Sequence, residues 1–163
     1  MSAETVDKRE LSPEARKEFE WLCGRYPRRR AVLLPLLRII EREFGCIDEA
    51  GMALAAELIG ISAAEVKSVV SFYTHYKRDT DGKYVIWVCN TLPCALRGAR
   101  ELTDALERKL GVRCGQRTAD GRFSLKKAEC LASCDTAPCM QIDDDHYDHV
   151  TEQQLDEILA RYE

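Results

Sequence analysis

The sequence lacks the run of about 18 to 20 apolar residues that a membrane-spanning helix needs. Its longest apolar stretch, Ala31–Leu37 followed by Ile39 and Ile40, is broken by Pro35 and Arg38 and runs into Glu41-Arg42-Glu43. The first ten residues have no apolar core of the secretory kind, so an intracellular protein is expected. No G-x-G-x-x-G follows a strand-like segment, no P-loop occurs, and no Ser/His/Asp order supports nucleophilic catalysis. A substrate pocket or organic cofactor site of its own, and hence catalytic residues, are not expected. A basic surplus is also missing: 24 Lys and Arg against 28 Asp and Glu give a net charge of −4, which argues against nucleic acid as partner. Finally, no C-x2-C pair exists anywhere, and a thioredoxin-type disulfide exchanger would want one.

What the sequence has in abundance is cysteine, eight in 163 residues. With no export signal, metal or redox chemistry is a better reading than disulfides. Cys23 and Cys46 stand alone in the first half, whereas the other six fall between 89 and 139. Charge is equally uneven. Residues 1–80 balance at 13 basic and 13 acidic, residues 81–142 carry 10 against 7, and residues 143–163 carry 1 against 8. The basic patch Arg25, Arg28, Arg29 and Arg30 reads as a solvated face or a partner contact.

The first half reads as helices. Ser12-Pro13-Glu14 offers an N-cap, a proline at the first helical position and an early acid. A second helix carries Leu33, Leu34, Leu36, Leu37, Ile40 and Phe44 and stops at Gly45, with Pro35 expected to kink it or mark its true start. A third is expected over about 48–59 with Gly60 as its stop, and Ser62-Ala-Ala-Glu65 is a capping box opening a fourth. Near residue 80 the pattern changes. Asp79–Gly82 is a turn, and Tyr84–Val88 is an apolar run suited to a strand buried on both faces. Ala95, Leu96, Ala99, Leu102, Leu106 and Leu110 recur at helical spacing up to Gly111. Asp120-Gly121 predicts a hairpin between Val112–Thr118 and Arg122–Lys127. Met140–Ile142 and His146–Val150 flank the acidic turn 143–145, and Thr151–Gln154 is a capping box before a last helix. The fold class is therefore α+β or α/β: an N-terminal helical interaction segment over 1–78, then a small α/β sandwich over 79–163.

Within the second part, Cys89, Cys94, Cys130 and Cys134 read C-x4-C, then 35 residues, then C-x3-C. Soft thiolates suit iron–sulfur clusters, and short loop-borne pairs can each reach one iron. Cys89 follows a predicted strand and Cys94 stands at a predicted helix start, which sets backbone N–H groups near the second sulfur. A structural zinc site, and with it a zinc-stabilised binding module, is the main rival, although zinc pairs are usually C-x2-C. Cys139 complicates the set, because Cys134 and Cys139 also form a C-x4-C pair; on spacing alone it could replace Cys130 or Cys134. Pro138 should hold that segment extended. Cys23, Cys46 and Cys114 read as inert half-core thiols. His75, His146 and His149 read as surface or hydrogen-bonded residues. The acidic run 143–148 lacks EF-hand spacing and reads as a turn.

Val88-Cys-Asn-Thr-Leu-Pro-Cys-Ala-Leu-Arg-Gly-Ala99, followed by Glu129-Cys-Leu-Ala-Ser-Cys-Asp-Thr-Ala-Pro138, resembles the thioredoxin-like [2Fe–2S] ferredoxins. More narrowly, it is similar to the E subunits of bacterial NADH–quinone oxidoreductases, and Leu33–Leu37, Glu43–Gly45 and Ser71–His75 extend that likeness to the helices. The resemblance implies a thioredoxin-like domain behind a helical bundle and one [2Fe–2S] cluster on Cys89, Cys94, Cys130 and Cys134. In that pattern the position of Cys139 is an uncharged non-ligand. It further implies a flavoprotein NADH-binding partner of the F-subunit type, which holds FMN, and a place in the peripheral arm of respiratory complex I at the cytoplasmic face of the membrane. Soluble NAD-linked hydrogenases and formate dehydrogenases use an equivalent subunit and form the alternative.

Overall fold

The computed structural model describes residues 9–163; residues 1–8, most of the stretch read as lacking a signal core, lie outside the described residues. The chain divides into two compact units, one running to Asp79 and one from Thr80 to Glu163.

The first unit is helical: α1 (Pro13–Arg25), a 3-10 turn (Arg29–Val32), α2 (Leu33–Phe44), α3 (Glu49–Ile59) and α4 (Ala63–Phe72). Its starts are chemical. Ser12 accepts from the Ala15 N–H at 3.2 Å, Asp48 from Gly51 at 2.8 Å, and Ser62 and Glu65 cap one another reciprocally. Pro35 does not kink α2. It falls in the first turn, where a backbone N–H has no intrahelical partner to lose. Phe19, Leu36, Leu37, Ile39, Ile40, Ala55, Val66 and Val70 form one continuous core. Each of these Phe, Leu, Ile and Val side chains contributes about 1.5–3 kcal/mol through burial.

The second unit is a four-stranded sheet with helices: β1 (Tyr84–Cys89), α5 (Leu92–Leu96), α6 (Ala99–Leu110), β2 (Phe123–Ala128), β3 (Met140–Ile142), β4 (Asp145–Tyr147) and α7 (Leu155–Leu159). The strand order is β2-β1-β3-β4. β1 pairs with β2 in parallel, from Tyr84 opposite Phe123 to Cys89 opposite Ala128, and with β3 in antiparallel. Ile86, Val88, Leu102, Leu106, Leu125, Met140, Ile142 and Leu155 fill the core. β1 is buried at Val85, Ile86, Val88 and Cys89 and half-buried at Tyr84 and Trp87, so its two-sided apolar pattern is only partly covered.

Three expectations need correction. The predicted hairpin forms only in part: around the Asp120-Gly121 turn Arg117 bridges Ser124, the Thr118 N–H donates to Phe123 and the Leu125 N–H to Gln116, but Val112–Thr118 is not a strand and Gly115 turns at φ +92°. β2 takes its ladder from β1 instead, reached by the α5–α6 crossover. The helix predicted through residues 95–110 is two helices, separated where Gly98 adopts φ +97°. The strand expected over His146–Val150 is displaced to Asp145–Tyr147, with His149 left-handed at φ +49°. Gly82 is required by contact rather than by torsion, since an added Cβ would lie 2.7 Å from the Phe123 backbone carbon.

Candidate metal centre

The end of β1 is where the chemistry gathers. Cys89 is the last residue of β1, and its N–H donates to the Cys139 carbonyl at 3.2 Å, which draws the start of β3 alongside. The next N–H, of Asn90, donates to Ala128 at the end of β2. Two cysteines separated by 50 positions are thereby neighbours through backbone pairing alone. Cys94 is the third residue of α5 and is buried. Its Sγ lies 3.8 Å from that of Cys139, and the three thiols of Cys89, Cys94 and Cys139 all lie within 4.8 Å of one another.

Cys130 and Cys134 follow on the loop after β2, and both are exposed. Ala132, left-handed at φ +62°, turns its N–H onto the Cys130 sulfur at 3.3 Å. Leu131 of the same loop packs against the buried group of Cys89, Cys94 and Cys139. The loop thus lies beside the strand end carrying Cys89. Of the four cysteines singled out from the sequence, Cys89 and Cys94 are brought together, in a close buried group whose third member is Cys139, while Cys130 and Cys134 stand outside that group on the neighbouring exposed loop.

Electrostatics sort these sulfurs. Burial pushes the Cys89 thiol up, but hydrogen bonds from the Thr91 hydroxyl and N–H, from Leu131 and from Cys94 outweigh it and bring it down to about 7. Cys89 therefore reaches the thiolate form that metals bind more readily than Cys94, Cys134 or Cys139 does. Burial raises Cys94. Cys134 is raised by lost solvation and by the neighbouring sulfurs of Cys130 and Cys89. Cys139 is pushed up to about 12, by burial first and then by Cys94 and Cys89.

The donor set fits an iron–sulfur cluster. Among the described residues, the one grouping of potential metal ligands consists of thiols, with no histidine or carboxylate in it. The Ala132 N–H points at the Cys130 sulfur, the kind of bond that stabilises cluster charge. The other candidates stand elsewhere. Cys23 packs against the helical core and Cys114 against the sheet core, and Cys46 is half-buried. In the acidic turn, Asp143 accepts from the Val85 N–H at 2.9 Å and Asp145 from the Tyr162 hydroxyl at 2.7 Å, both structural roles. Sequence reasoning missed how close Cys139 lies to Cys94, since only the β1–β3 pairing brings them together.

Comparison with known proteins follows this geometry. The family model for thioredoxin-like [2Fe-2S] ferredoxins matches residues 19–163. NADH-quinone oxidoreductase subunit 2 of Thermus thermophilus is 45% identical over 145 residues, 87% of this chain and 80% of its own. The E subunit of the NADH-quinone oxidoreductase of Escherichia coli K12 is 35% identical over 153 residues, 94% of this chain and 92% of its own. Among solved structures, an NAD+-reducing [NiFe]-hydrogenase in its air-oxidised state matches with TM-score 0.68 at 20% identity. The match covers 78% of this chain and 22% of that one, a likeness of fold.

Proposed function

This chain belongs to the thioredoxin-like [2Fe–2S] ferredoxin family, in the group of NADH–quinone oxidoreductase E subunits, and on that premise we propose that it is an electron-carrying subunit without catalytic residues of its own. One observation carries the reading: buried thiols far apart in sequence, Cys89, Cys94 and Cys139, gather at the end of β1, and Leu131 of the Cys130–Cys134 loop packs against them.

Cys89 and Cys94 hold one side of the cluster, and Cys130 and Cys134 hold the other. When bound, the cluster supplies one-electron chemistry. The chain's own part is to present deprotonated sulfurs, to donate a hydrogen bond from Ala132, and to keep Cys89 and Cys94 out of water. The proposed partner is a flavoprotein subunit of the F type that holds FMN and oxidises NADH, within the rest of the peripheral arm. Leu92 and Leu96, one turn apart on α5 beside Cys94, are 71% and 77% exposed and suit such a contact. Among the described residues no helix is long and apolar enough to cross a membrane. The proposed place of the chain is the cytoplasmic face of the inner membrane, reached as part of that complex.

A second ligand set, with Cys139 replacing a loop cysteine, is favoured by the 3.8 Å approach of Cys139 to Cys94. One panel separates the two. Anaerobically purified protein is expected to be EPR-silent when oxidised and to give an S = 1/2 signal after dithionite, near one spin per two irons. Alanine at Cys89, Cys94, Cys130 or Cys134 is expected to remove most of the iron, and Cys139→Ala to leave it in place. Zinc in place of iron would overturn the reading. Iron retained in Cys130→Ala but lost in Cys139→Ala would promote the second ligand set. Co-purification with a quinone-linked arm, rather than with a soluble hydrogenase or formate dehydrogenase, identifies the host.

A further inference from the structure

Between β2 and β3 the segment carrying Cys130 and Cys134 has neither helix nor strand of its own. A small polar group ties its middle to the sheet edge. The Ser133 hydroxyl, next to Cys134 in the chain, lies 2.8 Å from His146 Nε2. The same nitrogen lies 3.2 Å from Asp148 Oδ1, and the Thr136 hydroxyl donates to that carboxylate oxygen. The Ser133 hydroxyl and the Asp148 carboxylate thus converge on one ring nitrogen, and Thr136 completes the group. Asp148 is held below the usual carboxylate range by the Thr136 bond first, against some loss of solvation, with further help from His146 and Ser133. Two backbone bonds support the arrangement from below, His149 N–H to Thr136 at 2.8 Å and Val150 N–H to Pro138 at 2.9 Å.

His146 is well placed for this. It belongs to β4, where the ladder with β3 fixes it opposite Gln141, so its ring is carried by the sheet. Ser133 is carried by a loop. A bond between a fixed group and a loop group restrains the loop, and that loop holds both sulfurs of one cysteine pair.

We propose that His146 is a positioning residue, anchoring Ser133 and with it the Cys130–Cys134 segment to the edge of the sheet, so that this half of the cluster site opens less often. The inference rests on the functional reading above.

Two measurements on the full-length chain test it. In cluster-loaded protein, the rate of iron loss to a colorimetric iron chelator is compared among wild type, His146→Ala, His146→Gln and Ser133→Ala. Loss of one to two ordinary hydrogen bonds makes release about fivefold faster in His146→Ala. Glutamine offers an amide N–H near the Nε2 position and is expected to restore the rate to within about twofold. Ser133→Ala should match His146→Ala, and the double variant should be no faster than either single one, because both remove the same link. In cluster-free protein, maleimide labelling of Cys130 and Cys134 should quicken in the same variants and be rescued by the same glutamine.

Rates for His146→Ala within twofold of wild type in both assays would overturn the anchor. So would a glutamine variant indistinguishable from alanine, since a structural role of the ring alone would give that result. A wild-type chain that contains no iron overturns the functional reading instead, and the labelling arm still decides the anchor.

Discussion

Cys134 and Cys139 stand five positions apart in the sequence and meet opposite fates, one on an exposed loop and the other wholly buried against Cys94. Spacing made both credible ligands, because C-x4-C describes the pair they form as well as it describes Cys89 and Cys94. What separates them is that Cys139 adjoins β3 while Cys134 does not, and strand pairing over long range leaves no mark on local spacing. Burial also sets reactivity. With its thiol pushed up to about 12, Cys139 is protonated at pH 8. Brief iodoacetamide treatment of folded, cluster-free chain at pH 8 should therefore label Cys130 and Cys134 and spare Cys139, as read by peptide mass mapping. Cys139 labelled as fast as the loop pair would show that its pocket is open.

At the scale of elements, the helix starts were legible because their signals are local. Ser12, Asp48 and Ser62 each cap the helix that follows, and Gly45 and Gly60 end theirs at φ +79° and +83°. The sheet was legible as strands but not as pairings. Nothing in Val112–Thr118 announces that Gly115 will interrupt it, nor that β2 will find its partner 39 positions upstream. Gly98 was likewise hidden inside a run of helical spacing. An alanine there would lie 3.7 Å from its nearest neighbour, Glu101 Oε2, so crowding is not the difficulty. The left-handed torsion is, at about 1–2 kcal/mol. Gly98→Ala is expected to lower the melting temperature by roughly 4–8 °C per kcal/mol lost, measured calorimetrically. An unchanged melting temperature would mean that the α5–α6 junction relaxes freely. A second test at this scale concerns Asp81, nearly buried and paired with Lys126 Nζ at 2.5 Å. Lys126→Ala removes a charged partner of that carboxylate and should cost roughly 1.5–3 kcal/mol in urea denaturation. A loss below about 1 kcal/mol would show that water reaches Asp81.

For the whole molecule, the separate cores of the two units frame the division of labour we propose. The helical unit is small enough to be only marginally stable alone. It also exposes large apolar side chains, with Trp21 at 60% and Phe72 at 77%. Deleting residues 1–78 is therefore expected to leave the cluster in place, judged by iron content and the reduced EPR signal. The same deletion should weaken association with the flavoprotein, judged by co-purification. A truncated chain that still co-purifies one to one would assign the docking surface to the second unit.

The parallel pairing of β1 with β2 also orders events during synthesis. Tyr84–Cys89 leaves the ribosome 39 residues ahead of its partner, an interval of roughly 2–8 seconds at about 5–20 residues per second. Throughout that time Cys89 and Cys94 are already made, while the loop that completes the site is not. The helical unit, finished earlier, can fold meanwhile. Cluster insertion is thus confined to the last stage of translation or later, and an assembly factor meeting the nascent chain earlier would find half a binding site on an unpaired strand.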